Sequence, residues 1–350
     1  MPGFRAVIIE HGYPTSKYEN EIITAAGGEF IDASNRSLEE ALRIAEACEG
    51  VMVRRLEVTR DLIRRFKKCR ILTRYGVGTD NVDVDAATEA GIIVGHSPLY
   101  ATDEVSVHAA SLLLACVRDV AGTHKRLEAG AWDVERPVRI RRMAGCTLGI
   151  VGFGNIGRAV AHKFGGWDLR IVATDPFVEP AHAIRLGVGP IPLDTLLESS
   201  DFISLHCPLL PETRCLINRQ TLAKMKPGVI LVNTARGGVV DTQALLEALD
   251  SGRVAMAGLD VFEEEPLPVD SPLRKHPRTV LTDHAAWYSE ESQVQLQKTV
   301  AQEIVRVCTG GLPVSLMNPE VLRQLGRFDE WTPPENILWQ LKRLEVLKKK

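Results

Sequence analysis

The sequence predicts an α/β chain built on two doubly wound parallel sheets, and three observations lead there. Short β-branched runs alternate with helix-spaced segments through the first hundred residues. The alternation breaks at Ser97-Pro98, then resumes near residue 147 and continues to about residue 281. At the head of the second series an apolar run enters a glycine-spaced turn and then a helical segment. Strands alternating with helices form parallel sheets covered on both faces.

In the first series, 4–10 reads as a strand and 17–27 as a helix, with Ile22, Ile23 and Ala26 at helical spacing. Residues 28–31 give the next strand. Ser37 opens a helix with Glu40 in the capping-box position and Leu38, Ala41, Leu42 and Ala45 on one face. Further strands are predicted at 51–53, 71–73 and 92–94. Residues 101–129 read as one long helical stretch, with Val105, Ala109, Leu112, Leu113, Cys116 and Val120 at buried spacing, and 137–142 as a basic loop. The second series places strands at 147–151, 170–174, 202–206, 229–233, 255–260 and 280–282. A last amphipathic helix, 289–308, carries the chain back to the first unit. The domains so drawn are 1–99 with 289–320, 100–288, and a C-terminal tail at 321–350.

Composition permits an enzyme and excludes several other classes. The 350 residues suffice for two cores, and 42 Lys and Arg against 45 Asp and Glu leave a net charge of −3, with no global pull toward nucleic acid or membrane surfaces. No apolar run is long enough to span a bilayer, and the first residues do not open a signal peptide. The seven cysteines are odd in number and form no CxxC pair, which suits reduced thiols in the cytoplasm. No HExxH or Cys/His cluster suggests a metal.

Gly152-Phe-Gly-Asn-Ile-Gly157 follows the predicted strand 147–151 and enters the helix 156–164. Gly152 and Gly154 let the backbone turn tightly and approach a pyrophosphate, and Gly157 lets helix and strand pack closely. The helix N-terminus, with Asn155 and Ile156, offers unpaired N–H groups and a positive dipole end to phosphates. Asp175 lies 18 residues beyond Gly157, at the end of the next strand, where a carboxylate accepts hydrogen bonds from an adenosine ribose and repels a 2′-phosphate. The pattern is that of a Rossmann unit binding NAD or NADH, with NADP less favoured.

Three residues then carry chemistry. Arg236, in Asn-Thr-Ala-Arg-Gly-Gly, follows the apolar strand 229–233, at whose carboxyl end ligands of open sheets bind. Its guanidinium can grip a carboxylate with two bonds and polarise a neighbouring carbonyl. His284, after the strand 280–282, offers an imidazole suited to proton transfer near neutral pH. Glu265, in Asp-Val-Phe-Glu-Glu-Glu-Pro, can hold its other ring nitrogen.

With these residues the chain resembles the D-isomer-specific 2-hydroxyacid dehydrogenases, a group that includes phosphoglycerate dehydrogenase, glyoxylate/hydroxypyruvate reductase and the C-terminal-binding-protein corepressors. The resemblance runs from about residue 50 to 318, through Arg74–Asp83, the glycine loop, His206–Leu209, Asn233–Asp241, Gly258–Pro266 and His284–Trp287. It implies a flavodoxin-like substrate domain and a Rossmann domain with a cleft between them. It implies hydride transfer between a nicotinamide and a 2-oxo acid, giving a (R)-2-hydroxy acid. Arg236 would bind the substrate, His284 would be the acid/base and Glu265 would orient it. Asp260 would meet the nicotinamide carboxamide, and Thr234, Ala235, Cys207 and Pro208 would line the cofactor. The loop of Arg74, Tyr75, Gly76, Val77 and Gly78 would reach substrate from the first domain.

His284-Ala-Ala-Trp-Tyr-Ser289 and Arg74 resemble the corepressor branch, where Arg74 and Trp287 would favour a substrate with an apolar or aromatic end. Arg54-Arg55 could instead meet a substrate phosphate, or simply solvate a strand end. Asp283 stands where the family commonly has proline. The resemblance also implies a homodimer through the nucleotide-binding domain, with 101–129 at the interface. A corepressor-type protein that senses NAD(H) with little turnover is the alternative reading.

Overall fold

The computed structural model describes residues 3–132 and 140–332. The expected basic loop therefore lies partly, and the terminal lysines wholly, outside the described residues. The chain divides into two compact units, one within Met1–Ala101 and Ser289–Lys350, the other Thr102–Tyr288.

The first unit opens with β1 (Arg5–Ile8), α1 (Lys17–Ala25), β2 (Glu29–Asp32), α2 (Leu38–Ala45), β3 (Gly50–Val53), α3 (Arg60–Arg65), β4 (Ile71–Arg74), α4 (Val84–Glu89) and β5 (Ile93–Gly95). Its five strands run parallel in the order β2-β1-β3-β4-β5, with Val7 opposite Val51 and Val51 opposite Leu72. The strand β3 is buried along its length, as a central strand covered on both faces must be. The Ser37–Glu40 capping box forms, and Ala41, Leu42 and Ala45 enter the core. Leu38, expected on the same face, lies in the first turn of α2 and is 53% exposed.

The second unit contains α5 (Thr102–Arg118), α6 (Val120–Glu128), β6 (Thr147–Val151), α7 (Asn155–Lys163), β7 (Arg170–Thr174), α8 (Pro180–Arg185), β8 (Gly189–Pro190), α9 (Leu193–Ser199), β9 (Phe202–Leu205), α10 (Arg219–Lys224), β10 (Val229–Asn233), α11 (Thr242–Asp250), β11 (Val254–Leu259) and β12 (Thr279–Leu281). The strands are parallel in the order β12-β11-β10-β9-β6-β7-β8. Chain order reverses between β6 and β9, which sets a crevice outside the carboxyl ends of those strands.

The single long helix expected over 101–129 is instead two. The chain turns by 57° at Asp119, which adopts a left-handed φ of 46°. The Asp119 carboxylate is buried, accepts from Arg126 Nη1 at 3.0 Å, and fills the space that a side chain at Gly122 would occupy. Asp is one of the few residues that tolerates this conformation. Past the break α6 has no buried residue, and Val120, expected in the core, is exposed.

The chain then returns to the first unit. Ser289 caps α12 (Glu290–Cys308), which packs on α1, β3 and β4. Leu316 pairs with Gly95 at the β5 edge, and Asn318 holds Val94 N–H and Ile92 C=O at 2.9 Å each. Short α13 (Glu320–Gln324) buries Val321 and Leu322 completely, so the expected tail begins as part of the core. Among the described residues no single helix is long and apolar enough to cross a membrane.

Candidate active site

The glycine loop between β6 and α7 closes against the end of β9. Gly152 has a φ of +91°, and a Cβ there would lie 2.5 Å from Cys207 N and 2.6 Å from His206 C. A Cβ on Gly157 would lie 2.2 Å from Gly152 O, so α7 sits on the turn itself. Gly154 is the N-cap of α7 and provides no side-chain cap, which leaves the first N–H groups of the helix for a ligand. Ile156 packs on the core beneath.

Asp175, just past β7, accepts Phe153 N–H from the glycine loop at 2.8 Å and Phe177 N–H at 2.9 Å. These bonds fix the carboxylate beside the loop while leaving it lone pairs to accept from ribose hydroxyls. Two buried polar atoms nearby have no partner among the described residues: Thr234 Oγ1 and His206 Nδ1. The first follows β10 and the second follows β9, both at carboxyl ends of the sheet. Burial pushes His206 down to about 3, so its ring is neutral and donates or accepts at Nδ1 without charge. Orphaned polar atoms, uncapped helix N–H groups and a turn that admits no Cβ together fit a bound dinucleotide. Cys207 is buried, and Pro208 C=O accepts from Thr213 Oγ1 at 2.6 Å, so this segment is rigid where it faces the turn.

Arg236, Glu265 and His284 come together in the second unit. Nδ1 of His284 lies 2.6 Å from Oε2 of Glu265, and the other oxygen of Glu265 accepts Phe262 N–H at 3.0 Å. Burial pushes the Glu265 carboxyl up. The hydrogen bond and charge of His284, the Phe262 N–H and the charge of Arg236 outweigh this and hold it below its ordinary value. An ionised Glu265 fixes the proton on Nδ1 and leaves Nε2 as the nitrogen free for chemistry.

Arg236 is placed by its own loop. Asn233 bridges it, donating from Nδ2 to Arg236 C=O at 2.9 Å and accepting Ala235 N–H at 3.0 Å. The turn after it presses on the Glu265 loop, since a Cβ on Gly237 would lie 1.8 Å from Phe262 C.

Asp260 turns out to be the anchor of the histidine loop. Its buried carboxylate accepts Thr282 Oγ1 (2.6 Å), Ala285 N–H (2.9 Å) and Ala286 N–H (3.0 Å). Its C=O accepts His284 N–H at 2.8 Å. His284 itself has a left-handed φ of 58°. That conformation costs a non-glycine residue about 1–2 kcal/mol, and the Asp260 bonds on either side offset it. Beneath, His108 of α5 donates to Thr282 Oγ1 at 2.9 Å. Asp260, expected near the nicotinamide carboxamide, makes all of these bonds to the loop that carries His284. Nothing in the local sequence of His108 or Thr282 signals this support. Asp283 faces solvent, and Trp287 stacks edge-on with Tyr288 at 5.6 Å.

The Arg74–Gly78 loop belongs to the first unit and is described there alone. Tyr75, expected to reach substrate, turns its side chain into the core. It is 2% exposed and donates to Glu19 Oε1 at 2.8 Å, and Glu19 also accepts from Gln297 Nε2 at 3.0 Å. The backbone of the loop is pinned by Ser97 N–H to Gly76 C=O (2.9 Å) and by His96 Nδ1–H to Val77 C=O (2.8 Å). Gly76 has a φ of +137°, which a side chain rarely permits. Arg54 donates to His11 C=O and lies over the Tyr13 ring, while the N–H groups of Arg54, Arg55 and Leu56 all converge on Glu10 Oε1.

Comparison with known proteins agrees with this geometry. Residues 110–286 match the family model described as D-isomer specific 2-hydroxyacid dehydrogenase, NAD binding domain. The chain is 43% identical over 259 residues to glyoxylate reductase of Korarchaeum cryptofilum, covering 73% of this chain and 78% of that one. It is 38% identical over 302 residues to D-3-phosphoglycerate dehydrogenase of Archaeoglobus fulgidus, covering 86% of this chain and 57% of that one. The chain thus spans little more than half the length of that relative. A glyoxylate reductase structure from Paecilomyes thermophila superposes with a TM-score of 0.83 at 29% identity, covering 91% of this chain and all of that one. The chain belongs to the D-isomer-specific 2-hydroxyacid dehydrogenase family.

Proposed function

We propose that this chain is an NAD-dependent oxidoreductase that interconverts a 2-oxo acid and the corresponding (R)-2-hydroxy acid. The observation that carries the reading is the 2.6 Å contact between His284 Nδ1 and Glu265 Oε2, with the charge of Arg236 acting on the same carboxylate. A nicotinamide held here would supply or accept the hydride. Arg236 holds the substrate carboxylate and draws electron density from the carbonyl. His284 delivers a proton from Nε2 to the carbonyl oxygen in reduction and takes it back in oxidation. Glu265 balances the imidazolium until the proton leaves. Gly152, Gly154, Asn155 and Gly157 would hold the pyrophosphate, Asp175 the adenosine ribose, and Thr234 and Ala235 the nicotinamide half. Relatives named glyoxylate reductase and D-3-phosphoglycerate dehydrogenase direct the choice toward small hydroxy acids.

A cytoplasmic homodimer completes the proposal. Seven free cysteines suit a reducing compartment. The surface offered for pairing is α6 and its continuation, where Val120 is 57%, Leu127 53% and Trp132 90% exposed.

The test follows NADH absorbance with purified protein and a panel of 2-oxo acids from glyoxylate and hydroxypyruvate, with its phosphate, to phenylpyruvate. Turnover that Arg236→Ala and His284→Ala both abolish supports the dehydrogenase. Tight NADH binding without turnover on any panel member overturns it in favour of a dinucleotide-sensing protein. Light scattering of the purified protein reads the dimer directly.

A further inference from the structure

Among the described residues Arg158 has no carboxylate in an ion pair with it. It lies on the second turn of α7, and its side chain runs back toward the start of the helix, as long helical side chains do. Nε donates to Gly154 C=O at 3.1 Å, Nη2 to Asn155 Oδ1 at 2.8 Å, and Nη1 to His182 Nε2 of α8 at 2.9 Å. All three acceptors are neutral. Asp175 acts on the guanidinium only through space, and burial lowers its affinity for its proton despite that carboxylate.

His182 is neutral for the same reason. Burial, then the charges of Arg158 and Arg185, push its imidazole below the ordinary value against a smaller pull from Glu179. Because Nε2 accepts from Arg158, Nδ1 must carry the ring proton. The 3.3 Å approach of Arg185 to Nδ1 is therefore a contact between two donors rather than a bond. A part-buried guanidinium held by neutral acceptors, with the Arg185 guanidinium at the far side of His182, is a preformed site for an oxyanion. Its position decides which oxyanion. The side chain touches Gly154 and Asn155, the first residues of the helix that the glycine loop feeds, and it lies within electrostatic reach of Asp175.

We propose that Arg158, positioned by Asn155 and His182, is a ligand for a phosphate group of the bound dinucleotide. The inference rests on the dinucleotide reading above. Two phosphates lie in that direction, the pyrophosphate at the start of α7 and the 2′-phosphate that distinguishes NADP. Both present the same oxyanion chemistry to a forked guanidinium.

Calorimetric titration of NADH, NADPH, ADP and adenosine into the wild-type protein and into Arg158→Gln, Arg158→Lys and His182→Gln separates them. If the pyrophosphate is the partner, Arg158→Gln weakens NADH and ADP by roughly tenfold or more, the range for a charge-assisted bond. Adenosine is then unaffected, and Arg158→Lys recovers part of the loss. If the 2′-phosphate is the partner, only NADPH weakens. His182→Gln, which can still accept, changes affinity less than Arg158→Gln. Unchanged binding of all the phosphate-bearing ligands in Arg158→Gln overturns the proposal, and so does an equal loss for adenosine, which signals a collapsed site. A wild-type protein that binds neither NADH nor NADPH would instead sink the dinucleotide reading itself.

Discussion

Glu265 accepts the proton-bearing Nδ1 of His284 at 2.6 Å while its second oxygen is tied to the Phe262 backbone, so the imidazole ring is held at one edge and free at the other. The contact depends on an ionised carboxylate. Glu265 is held below the ordinary carboxyl value of 4.5, so its contribution is present above that value and is lost as pH falls through the lower, folded value. Glu265→Gln keeps the shape and removes the charge. We expect kcat/KM to fall on the order of 10²-fold at neutral pH, the usual range for impaired acid–base catalysis. NADH affinity should not change. A pH profile of kcat/KM checks this, and a glutamine variant with the wild-type rate would count against the assigned role.

Gly237 tests the packing of one loop on another. A Cβ there would lie 1.8 Å from the carbonyl carbon of Phe262, and backbone cannot yield as a side-chain tip can. Gly237→Ala should push the Arg236 turn away from the Glu265 loop. A displacement near 1 Å can cost about 10²-fold in rate. NADH titration should remain close to wild type, since the glycine loop is untouched. Steady-state kinetics beside that titration decide it.

Asp260→Asn keeps the volume but replaces one acceptor oxygen with an NH₂ group. That donor would face either the Ala286 N–H or the Thr282 and Ala285 donors. Leaving one buried donor unpaired costs about 1–3 kcal/mol, and the left-handed His284 loses its support. Urea denaturation should show a lower midpoint, and kcat should drop with it. A variant as stable as wild type would mean that the loop stands without the carboxylate.

His96 gives a pH dependence to the first unit. It is 2% exposed, and burial, partly opposed by the Val77 hydrogen bond, pushes it from 6.5 to about 4. Between those values the unfolded chain binds the proton and the folded chain does not. Stability is thus complete above 6.5 and is lost as pH falls toward 4, by about 1.4 kcal/mol per pH unit. His96→Asn should flatten the slope over that window. Denaturation midpoints taken from pH 4 to 7 read it.

Local signals carried most of the fold and the heart of the site. Strand, glycine turn and helix follow one another within residues 147–164, so their chemistry sits in one window of sequence. Arg236 and His284 were legible because each directly follows an apolar strand. What was not legible depends on contacts distant in sequence. His108 supports a threonine 174 positions away, and Tyr75 donates to Glu19 of one helix, which also accepts from Gln297 of another. The bend at Asp119 arises from a buried carboxylate, Arg126 and the missing side chain of Gly122, whereas the helical spacing runs straight through it. The strand β8, at two residues, is too short to carry a period.

The first unit is assembled from two stretches of chain with a whole second unit inserted between them. Its sheet is complete by Gly95, but the helix that covers β3 and β4 and the segment that pairs with Gly95 come only after Ser289. On the ribosome, therefore, the later-made Thr102–Tyr288 unit can reach its final form while the earlier-made sheet still lacks one covering layer. That sheet must wait, with β3 and β4 uncovered on one face, for nearly two hundred further residues to be synthesised. In such an interval a chaperone has its target, and slowing translation before codon 289 would lengthen it.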